Sequence, residues 1–303
     1  MNALISIVMP VFNAGDFIEQ TFKSLLNQSF RDFELIVVDD GSTDESINIA
    51  NKFATKDNRI KLLKNTGKGA ATARNLGIRE ASGKFISFVD ADDLYKKEMF
   101  SSMYSKAVST NADITVCGYR KFDNSSGKTL WEFRPLGKFL IHERIKSRDH
   151  LSDLFSVVPP SPWGKLIKRD LINKNNILFQ ELSSCNDFAF TYTAISKARV
   201  ISFCPEVLLY YRANTGKNIS SNRGSKAINI LEAIKRLKDN MEKLGNFKEM
   251  RQTFLARSKQ SLQFELSNCS EEEKKAFYSY ARSNLDNNLA RDLESAMIRE
   301  IGI

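Results

Sequence analysis

The sequence predicts an α/β fold, a mostly parallel sheet with helices on both faces, and three observations predict it. Residues 4–9, 33–38, 60–64 and 85–89 are short apolar runs without polar alternation, the pattern of strands buried on both faces. Segments with helical spacing separate them, so strand and helix alternate as in crossover-connected parallel sheets. The runs open into loops rich in Asp, Asn and Gly, and ligands of open α/β sheets bind outside the carboxyl ends of the strands. With 303 residues, 42% of them hydrophobic, the chain can bury one large core or two smaller ones.

In order, the first strand is expected to end at Pro10, which has no N–H for a ladder. Residues 16–28 follow as a helix, with Phe17, Ile18, Thr21, Phe22, Leu25 and Leu26 on one face. The second strand leads into Asp39-Asp40-Gly41-Ser42 and a helix over 43–54. The third opens into Asn65-Thr66-Gly67-Lys68-Gly69 and a helix over 70–81, and the fourth, 85–89, releases Asp90-Ala91-Asp92-Asp93. Right-handed crossovers bring these loops to one rim. A strand at 114–120 comes next, and 121–146 reads as irregular, polar and aromatic. Pro159-Pro160-Ser161-Pro162-Trp163 reads as a rigid loop over a site with an exposed Trp, or as a plain connector. From about residue 225 there is no proline, and Leu231, Ile234, Leu237 and Met241 keep helical spacing. Three parts are therefore expected: 1–110, 111–222 and a helical subdomain at 223–303.

Composition removes several classes. No stretch reaches the ~20 apolar residues of a membrane span, and residues 1–11 lack the charged start of a signal peptide, so a cytoplasmic protein is expected. Cys117, Cys185, Cys204 and Cys269 form no CxxC pair, and His142 and His150 are the only histidines, so a metal must be held by oxygen. The net charge of +9 is concentrated in residues 120–174, which carry twelve Lys/Arg against six Asp/Glu. Such a segment suits nucleic acid, anionic lipid headgroups or phosphate-bearing substrates, or is a solvated surface with no partner.

The rim loops carry the chemistry. Three carboxylates in four positions repel one another unless a cation or donors intervene. Asp90–Asp93 is thus either a site for Mg²⁺ or Mn²⁺ or an acidic turn with Asp92 or Asp93 capping the next helix. The loop Pro10-Val11-Phe12-Asn13-Ala14-Gly15 offers an aromatic ring, backbone donors and a helix N-terminus. Asp40 is suited to accept hydrogen bonds from a base, and Lys68 and Arg74 bring positive charge to a phosphate. Together they fit a nucleoside diphosphate: base at Asp40, phosphates near Lys68, and a metal bridging the diphosphate to Asp92.

The runs Ile5-Ser6-Ile7-Val8-Met9-Pro10-Val11-Phe12-Asn13, Phe33-Glu34-Leu35-Ile36-Val37-Val38-Asp39-Asp40-Gly41-Ser42-Thr43-Asp44, Ala73-Arg74-Asn75-Leu76-Gly77 and Asp90-Ala91-Asp92-Asp93 resemble the successive motifs of family 2 glycosyltransferases. Ser161-Pro162-Trp163-Gly164-Lys165-Leu166, Asn186-Asp187-Phe188-Ala189-Phe190 and Leu209-Tyr210-Tyr211-Arg212 take the resemblance up again. It implies a GT-A fold, a nucleotide-sugar donor (commonly a UDP-sugar), a divalent metal (Mn²⁺ or Mg²⁺) and inversion at the anomeric carbon. It also implies a glycan or lipid-linked saccharide acceptor in surface polysaccharide or lipopolysaccharide synthesis. By the same resemblance Pro10, Val11, Phe12, Asn13, Asp40, Lys68, Arg74, Asp90, Ala91 and Asp92 form the donor site. Phe12 and Asp40 match positions that hold uracil, Asp90 one that contacts the ribose, Asp92 the metal ligand of the DxD motif, and Asp187 the catalytic base. Residues 1–110 then form the donor half and 111–222 the acceptor half, with Trp163, Lys165 and Arg212 expected near the acceptor. The chain departs from the family where Asn186 replaces the usual Glu and Gly164 the usual Asn. Locally, Asp187 also reads as a helix N-cap, Trp163 as core or as a sugar platform, and Arg212 as a phosphate ligand or half of a buried ion pair. The basic segment is a candidate contact for anionic headgroups, at the inner face of a plasma membrane, or for a lipid-linked diphosphate.

Two other classes compete. A dinucleotide-binding oxidoreductase would use Gly67-Lys68-Gly69, but Thr72 stands at the third glycine position and the first strand–helix turn lacks its glycines. A nucleic-acid-binding protein would explain 120–174, but its phosphates would meet the carboxylates of the rim.

Overall fold

The structure, a computed structural model, describes residues 3–135, 145–146, 150–216, 227–267 and 269–301. The expected boundary at 222/223 lies outside the described residues, as do 136–144 and 147–149 of the basic segment.

Strands β1 (Ile5–Val11), β2 (Phe33–Asp39), β3 (Ile60–Lys64) and β4 (Phe85–Phe88) form the parallel block in the order β3-β2-β1-β4. Helices α1 (Ile18–Leu26), α2 (Ser46–Ala54) and α3 (Ala70–Glu80) connect them. The strand β5 (Leu94–Tyr95) and helix α4 (Met99–Thr110) complete this half. Pro10 does not end β1, which pairs with β2 as far as Val11 opposite Asp39. The reason lies in the alternation of the backbone. The Val8 carbonyl accepts from Val89 on the β4 side and the Val11 carbonyl from Asp40 on the β2 side. The Pro10 nitrogen therefore faces β4, whose pairing with β1 has already stopped at Val8–Phe88. No ladder bond is lost.

Beyond β4 the sheet changes character. β6 (Ile114–Asp123), β7 (Thr129–Phe133), β8 (Ile145–Lys146), β9 (Lys165–Lys168) and β10 (Val200–Ala213) extend it to ten strands. β9 is antiparallel to both β4 and β6, whereas β6 and β10 run parallel through the longest pairing in the sheet. The carboxyl ends of β1 to β4, β6 and β10 thus share one rim, and the start of β9 joins them there. The expectation of irregular structure from 121 onward is corrected: β6 continues to Asp123 and turns into β7, with Tyr119 opposite Phe133 and Lys121 opposite Trp131. Alternating aromatic and charged residues concealed this hairpin, since neither of its faces is uniformly apolar.

Two cores lie on the two sides. Ile5, Ile7 and Met9 pack with Phe22, Leu25, Met99, Phe100 and Met103 on one. On the other, Val8, Ile36 and Val38 meet α3, then α5 (Leu151–Val157) and α7 (Asn186–Lys197), with α6 (Arg169–Lys174) between them in sequence. The helices α8 (Asn229–Lys243), α9 (Phe247–Leu266), α10 (Glu271–Asn284) and α11 (Asn287–Ile301) continue that second cluster, through Leu231, Leu237, Phe254, Leu262, Phe277 and Leu293. Gly77 sets the α3–β1 distance: a Cβ there would lie 2.3 Å from Val8 Cγ1. Close contact of α3 with β1 holds the start of the helix at the rim.

Candidate functional site

The loop after β4 is fixed by groups remote in sequence. Thr21, on the buried face of α1, donates its hydroxyl to the carbonyls of Ala91 and Asp93 at 2.9 and 2.8 Å. Tyr95 grips Asp90 at both ends, accepting from its N–H at 2.9 Å and donating to its carbonyl at 3.1 Å. Asp93 is fully buried and accepts the Arg212 backbone N–H at 2.8 Å. It does not cap a helix: β5 intervenes, and α4 begins only at Met99. Burial, then the charges of Asp92 and Asp90, raise its carboxyl well above the ordinary range. Asp90 and Asp92 remain at the surface of the loop, both partly exposed. Burial first and Asp90 second push the Asp92 carboxyl up to about 7.

The loops of the donor half are tied to one another. Asn13, with a left-handed backbone (φ 48°), accepts the Thr43 N–H at 2.8 Å through its side chain and donates its own N–H to Ser42. Asp44 accepts from Gly15 at 2.8 Å, and the Ser46 hydroxyl accepts from Ala14 at 2.8 Å. Pro10 and Val11 end the strand beneath this loop, and Phe12 stands 61% exposed above it. Asp40 holds the next loop: both carboxylate oxygens accept the Gly69 N–H at 2.8 Å, and one also accepts from Asn65 at 2.7 Å. Gly69 has φ 98°, a backbone that favours glycine, so this approach depends on its lack of a side chain. Lys68 is exposed beside it.

Arg74 joins the two halves. It is buried, donates to Asp90 Oδ1 at 2.9 Å and to Asn186 Oδ1 at 3.2 Å, and lies over the Phe179 ring. One residue on, Asn75 exchanges two hydrogen bonds with the Phe179 backbone, at 2.9 and 2.8 Å. Arg74 is thus committed to carboxylate and amide partners. Asp187 occupies the first turn of α7, where Cys185 and not Asp187 is the N-cap residue. Burial raises its carboxyl, and the cations Arg74 and Lys165 pull against that rise.

The three residues expected near the acceptor are more enclosed than the sequence suggests. Trp163 is 9% exposed, which corrects its reading as an exposed ring; it stacks on Tyr211 at 5.4 Å and meets Tyr119 edge-on at 4.5 Å. Lys165 is buried and donates to the carbonyls of Pro159 and Ser161 at 2.9 and 2.6 Å, so it braces the proline loop from inside. Burial lowers its ammonium to about 7, against the pull of Asp187. Arg212 donates to the Asp92 carbonyl at 2.7 Å and, at 2.9 Å each, to Asn124 and Gln20. Tyr95 is a positioning group that the sequence reading passed over, and Thr21, Asn75 and Asn186 were named there without a positioning role. Only Thr21 left a sign, as a hydroxyl within an apolar helix face.

Among the described residues no group of three or more His, Cys, Asp or Glu is arranged around a metal. The acidic loop still suits a divalent cation of modest protein coordination. A carboxyl raised by burial and by a neighbouring carboxylate is one that a cation would relieve, and Mg²⁺ is commonly held by one or two carboxylates with substrate phosphates and water.

Comparison with known proteins identifies the family and the fold. The family model described as glycosyl transferase family 2 matches residues 6–175. The glycosyltransferase GlyG of Streptococcus pneumoniae is 32% identical over 223 residues, 71% of this chain and 73% of that protein. The uncharacterized glycosyltransferase EpsJ of Bacillus subtilis is 34% identical over 71% of this chain, and the match spans 62% of its own length, under two thirds. Among solved structures, residues 1–349 of S. aureus TarS in complex with UDP-GlcNAc align over 99% of this chain and 89% of theirs, with a TM-score of 0.63 at 21% identity. That likeness establishes the fold. Motifs, sheet topology and sequence relatives agree, and the chain belongs to glycosyl transferase family 2.

Proposed function

We propose that this chain moves a sugar, with inversion, from a nucleoside diphosphate donor of the UDP type to a hydroxyl of a glycan or lipid-linked acceptor in surface polysaccharide assembly. The observation that carries it is the seam at Arg74. One guanidinium spans Asp90 on the β4 loop and Asn186 on α7, next to Asp187, so acidic groups from distant parts of the chain converge on one rim. A donor with its base over Phe12 and its ribose at Asp90 would direct its diphosphate toward Asp92.

Asp187 takes the proton of the acceptor hydroxyl as that oxygen bonds to the anomeric carbon. The bond from that carbon to the phosphate oxygen breaks on the opposite face, and its electron pair leaves with the nucleoside diphosphate. Burial makes Asp187 a stronger base than an exposed aspartate, which suits the task. A divalent ion held at Asp92 would offset the charge of the leaving diphosphate. Asn186 is neutral, so Arg74 balances Asp90 alone and keeps an attraction for Asp187.

Basic side chains hold the enzyme against an anionic membrane surface. Lys168, Arg169 and Lys174 join Lys84, Lys197 and Arg199 around a cavity of about 780 Å³, where Asp113 and Asp170 pair with Lys168, Arg199 and Lys174 and leave a basic surplus. It lies at the rim opposite the acidic loops, where β1, β4, β6 and β10 begin. No helix among the described residues is long and apolar enough to cross a membrane. A nucleic-acid partner is disfavoured, because Asp90 and Asp92 at the candidate site would repel its phosphates.

The test is a screen of UDP- and GDP-sugars with Mn²⁺ or Mg²⁺, reading released nucleoside diphosphate. One UDP-sugar should turn over, and Asp92→Ala should abolish the metal stimulation. Failure to bind or turn over any donor would sink the proposal.

A further inference from the structure

The aromatic face of the β6–β7 hairpin is a feature that the reaction does not use. The chain contains two tryptophans, and both belong to one continuous row. Tyr211 stacks on Trp163, Trp163 meets Tyr119 at 4.5 Å, and Tyr119 meets Trp131 and Phe133 at 5.4 and 5.5 Å. Strand register explains the row. Tyr119 lies opposite Phe133 and Lys121 opposite Trp131 across β6–β7, while Lys121 lies beside Tyr211 across β6–β10. Residues directly opposite in register share a face of the sheet. All of these side chains therefore project to the same side. The intervening positions carry an ion triad that stiffens the hairpin from the other face, Arg120–Glu132–Arg134, at 2.8 and 2.5 Å.

Exposure is graded along the row. Trp163 at the inner end is 9% exposed, Tyr119 and Tyr211 are half-buried, and Trp131 at the outer end is 51% exposed. Trp163, at the inner end, lies just before the start of β9, on the rim that also carries Asp90 and Asp92. We propose that this row is a platform for the acceptor's sugar chain, which holds sugar units beyond the one that reacts. This inference rests on the glycosyltransferase reading of the same rim.

The chemistry selects the occupant. A pyranose has an apolar C–H face and a rim of hydroxyls, and it needs flat apolar surfaces bordered by hydrogen-bonding groups. Tyr and Trp provide an apolar body with a polar edge. Lys121, with its ammonium 5.9 Å from the Tyr211 ring centre, adds a donor along the row. A fatty acyl chain would use none of these polar edges. A half-exposed indole on a strand that, among the described residues, pairs only with β6 also leaves apolar area in water that a sugar ring would cover.

The two tryptophans make the test direct. Intrinsic fluorescence of the full chain is titrated with glucose, cellopentaose and chitopentaose at millimolar concentration. A pentasaccharide should quench or shift the emission and glucose should not. By calorimetry, which does not rely on the indole as reporter, Trp131→Ala should lose pentasaccharide binding while Trp131→Phe, which keeps a flat ring, retains most of it. With a working acceptor, Trp131→Ala should raise acceptor KM roughly tenfold and leave kcat and acceptor-independent donor hydrolysis unchanged. No fluorescence response to either pentasaccharide, or an unchanged acceptor KM, overturns the platform. So does Trp131-dependent binding to phosphatidylglycerol vesicles without any sugar response, which would make the face a membrane contact. Loss of donor hydrolysis in the unaltered protein would instead overturn the glycosyltransferase reading itself.

Discussion

The two halves of the sheet hold their polar groups in opposite ways. In the proposed donor half, β1 to β4 release short loops whose side chains bind neighbouring loops of the same half: Asn13 with Ser42 and Thr43, Asp44 with Gly15, Asp40 with Gly69 and Asn65. In the proposed acceptor half, the corresponding groups are buried beneath rings and carbonyls. Trp163 packs between Tyr119 and Tyr211, and Lys165 places its ammonium on the carbonyls of Pro159 and Ser161. Under the proposed function, a nucleotide, the constant part of a donor, suits the preformed loops, and the acceptor would meet the half that is shaped by packing. Besides the strand pairing, side chains at the rim join the halves, among them Arg74 to Asn186, Asn75 to the Phe179 backbone, and Asp93 to the Arg212 N–H. The proposed catalytic geometry depends on that seam.

The comparison breaks most sharply at Asp187. If the acceptor half supplies the base and the donor half the nucleotide, Asp187→Asn loses transfer by about 10²- to 10⁴-fold, the usual worth of general base catalysis. Its affinity for a UDP-sugar, measured by calorimetry, should remain within about twofold. The amide is nearly the same size, so the fold is kept. Substantial transfer by Asp187→Asn would take the base out of the acceptor half.

The contrast between the halves also explains what could be read from the sequence. The parallel block was legible because β1, β2 and β4 are nearly continuous apolar runs and Asp40, Asp90 and Asp92 follow their strands within a few positions. Asp40, Asp90 and Asp92 were found in that way, and α3 was placed by spacing alone. β3, with Lys61 and Lys64, was legible from its place between two helical segments. What escaped depends on partners far along the chain. Asp93 looked like a helix cap, but its acceptor role is set by Arg212, 119 residues away. Trp163 looked exposed among prolines, and its burial is decided by Tyr119 and Tyr211 on two other strands. The β6–β7 hairpin escaped because one face alternates aromatic residues with lysine, so no apolar period marks it. Pro10 was misplaced because its cost depends on where the neighbouring β4 stops.

A second prediction sharpens the claim that the acceptor half is held by a buried cation. Burial lowers Lys165 to about 7, while an unfolded chain keeps lysine protonated up to ~10.4. Between those values the unfolded state binds more protons, so stability rises with pH. Each pH unit contributes at most ~1.4 kcal/mol. Urea unfolding of the unaltered protein should therefore gain ~1–2 kcal/mol between pH 7 and pH 9 relative to Lys165→Met, whose side chain does not titrate. Below about pH 7 the folded lysine is charged as well, and the two proteins should run parallel. Parallel behaviour throughout would mean that the ammonium is not held in a desolvated setting.

The smallest effect belongs to the donor half, and it separates binding from stability. Phe12 is 61% exposed at the end of β1, and exposed positions away from special backbone features usually change stability by less than ~0.5 kcal/mol. Phe12→Ala should therefore melt within about two degrees of the unaltered protein. A ring that stacks on the base of the donor contributes ~0.5–1.5 kcal/mol, so donor affinity should fall roughly threefold to tenfold. The loss should be similar for UDP and for a UDP-sugar, because the sugar lies beyond the reach of the ring. A loss confined to the UDP-sugar would move Phe12 from the base to the sugar. An unchanged affinity for both would leave the exposed ring with no part in the donor site.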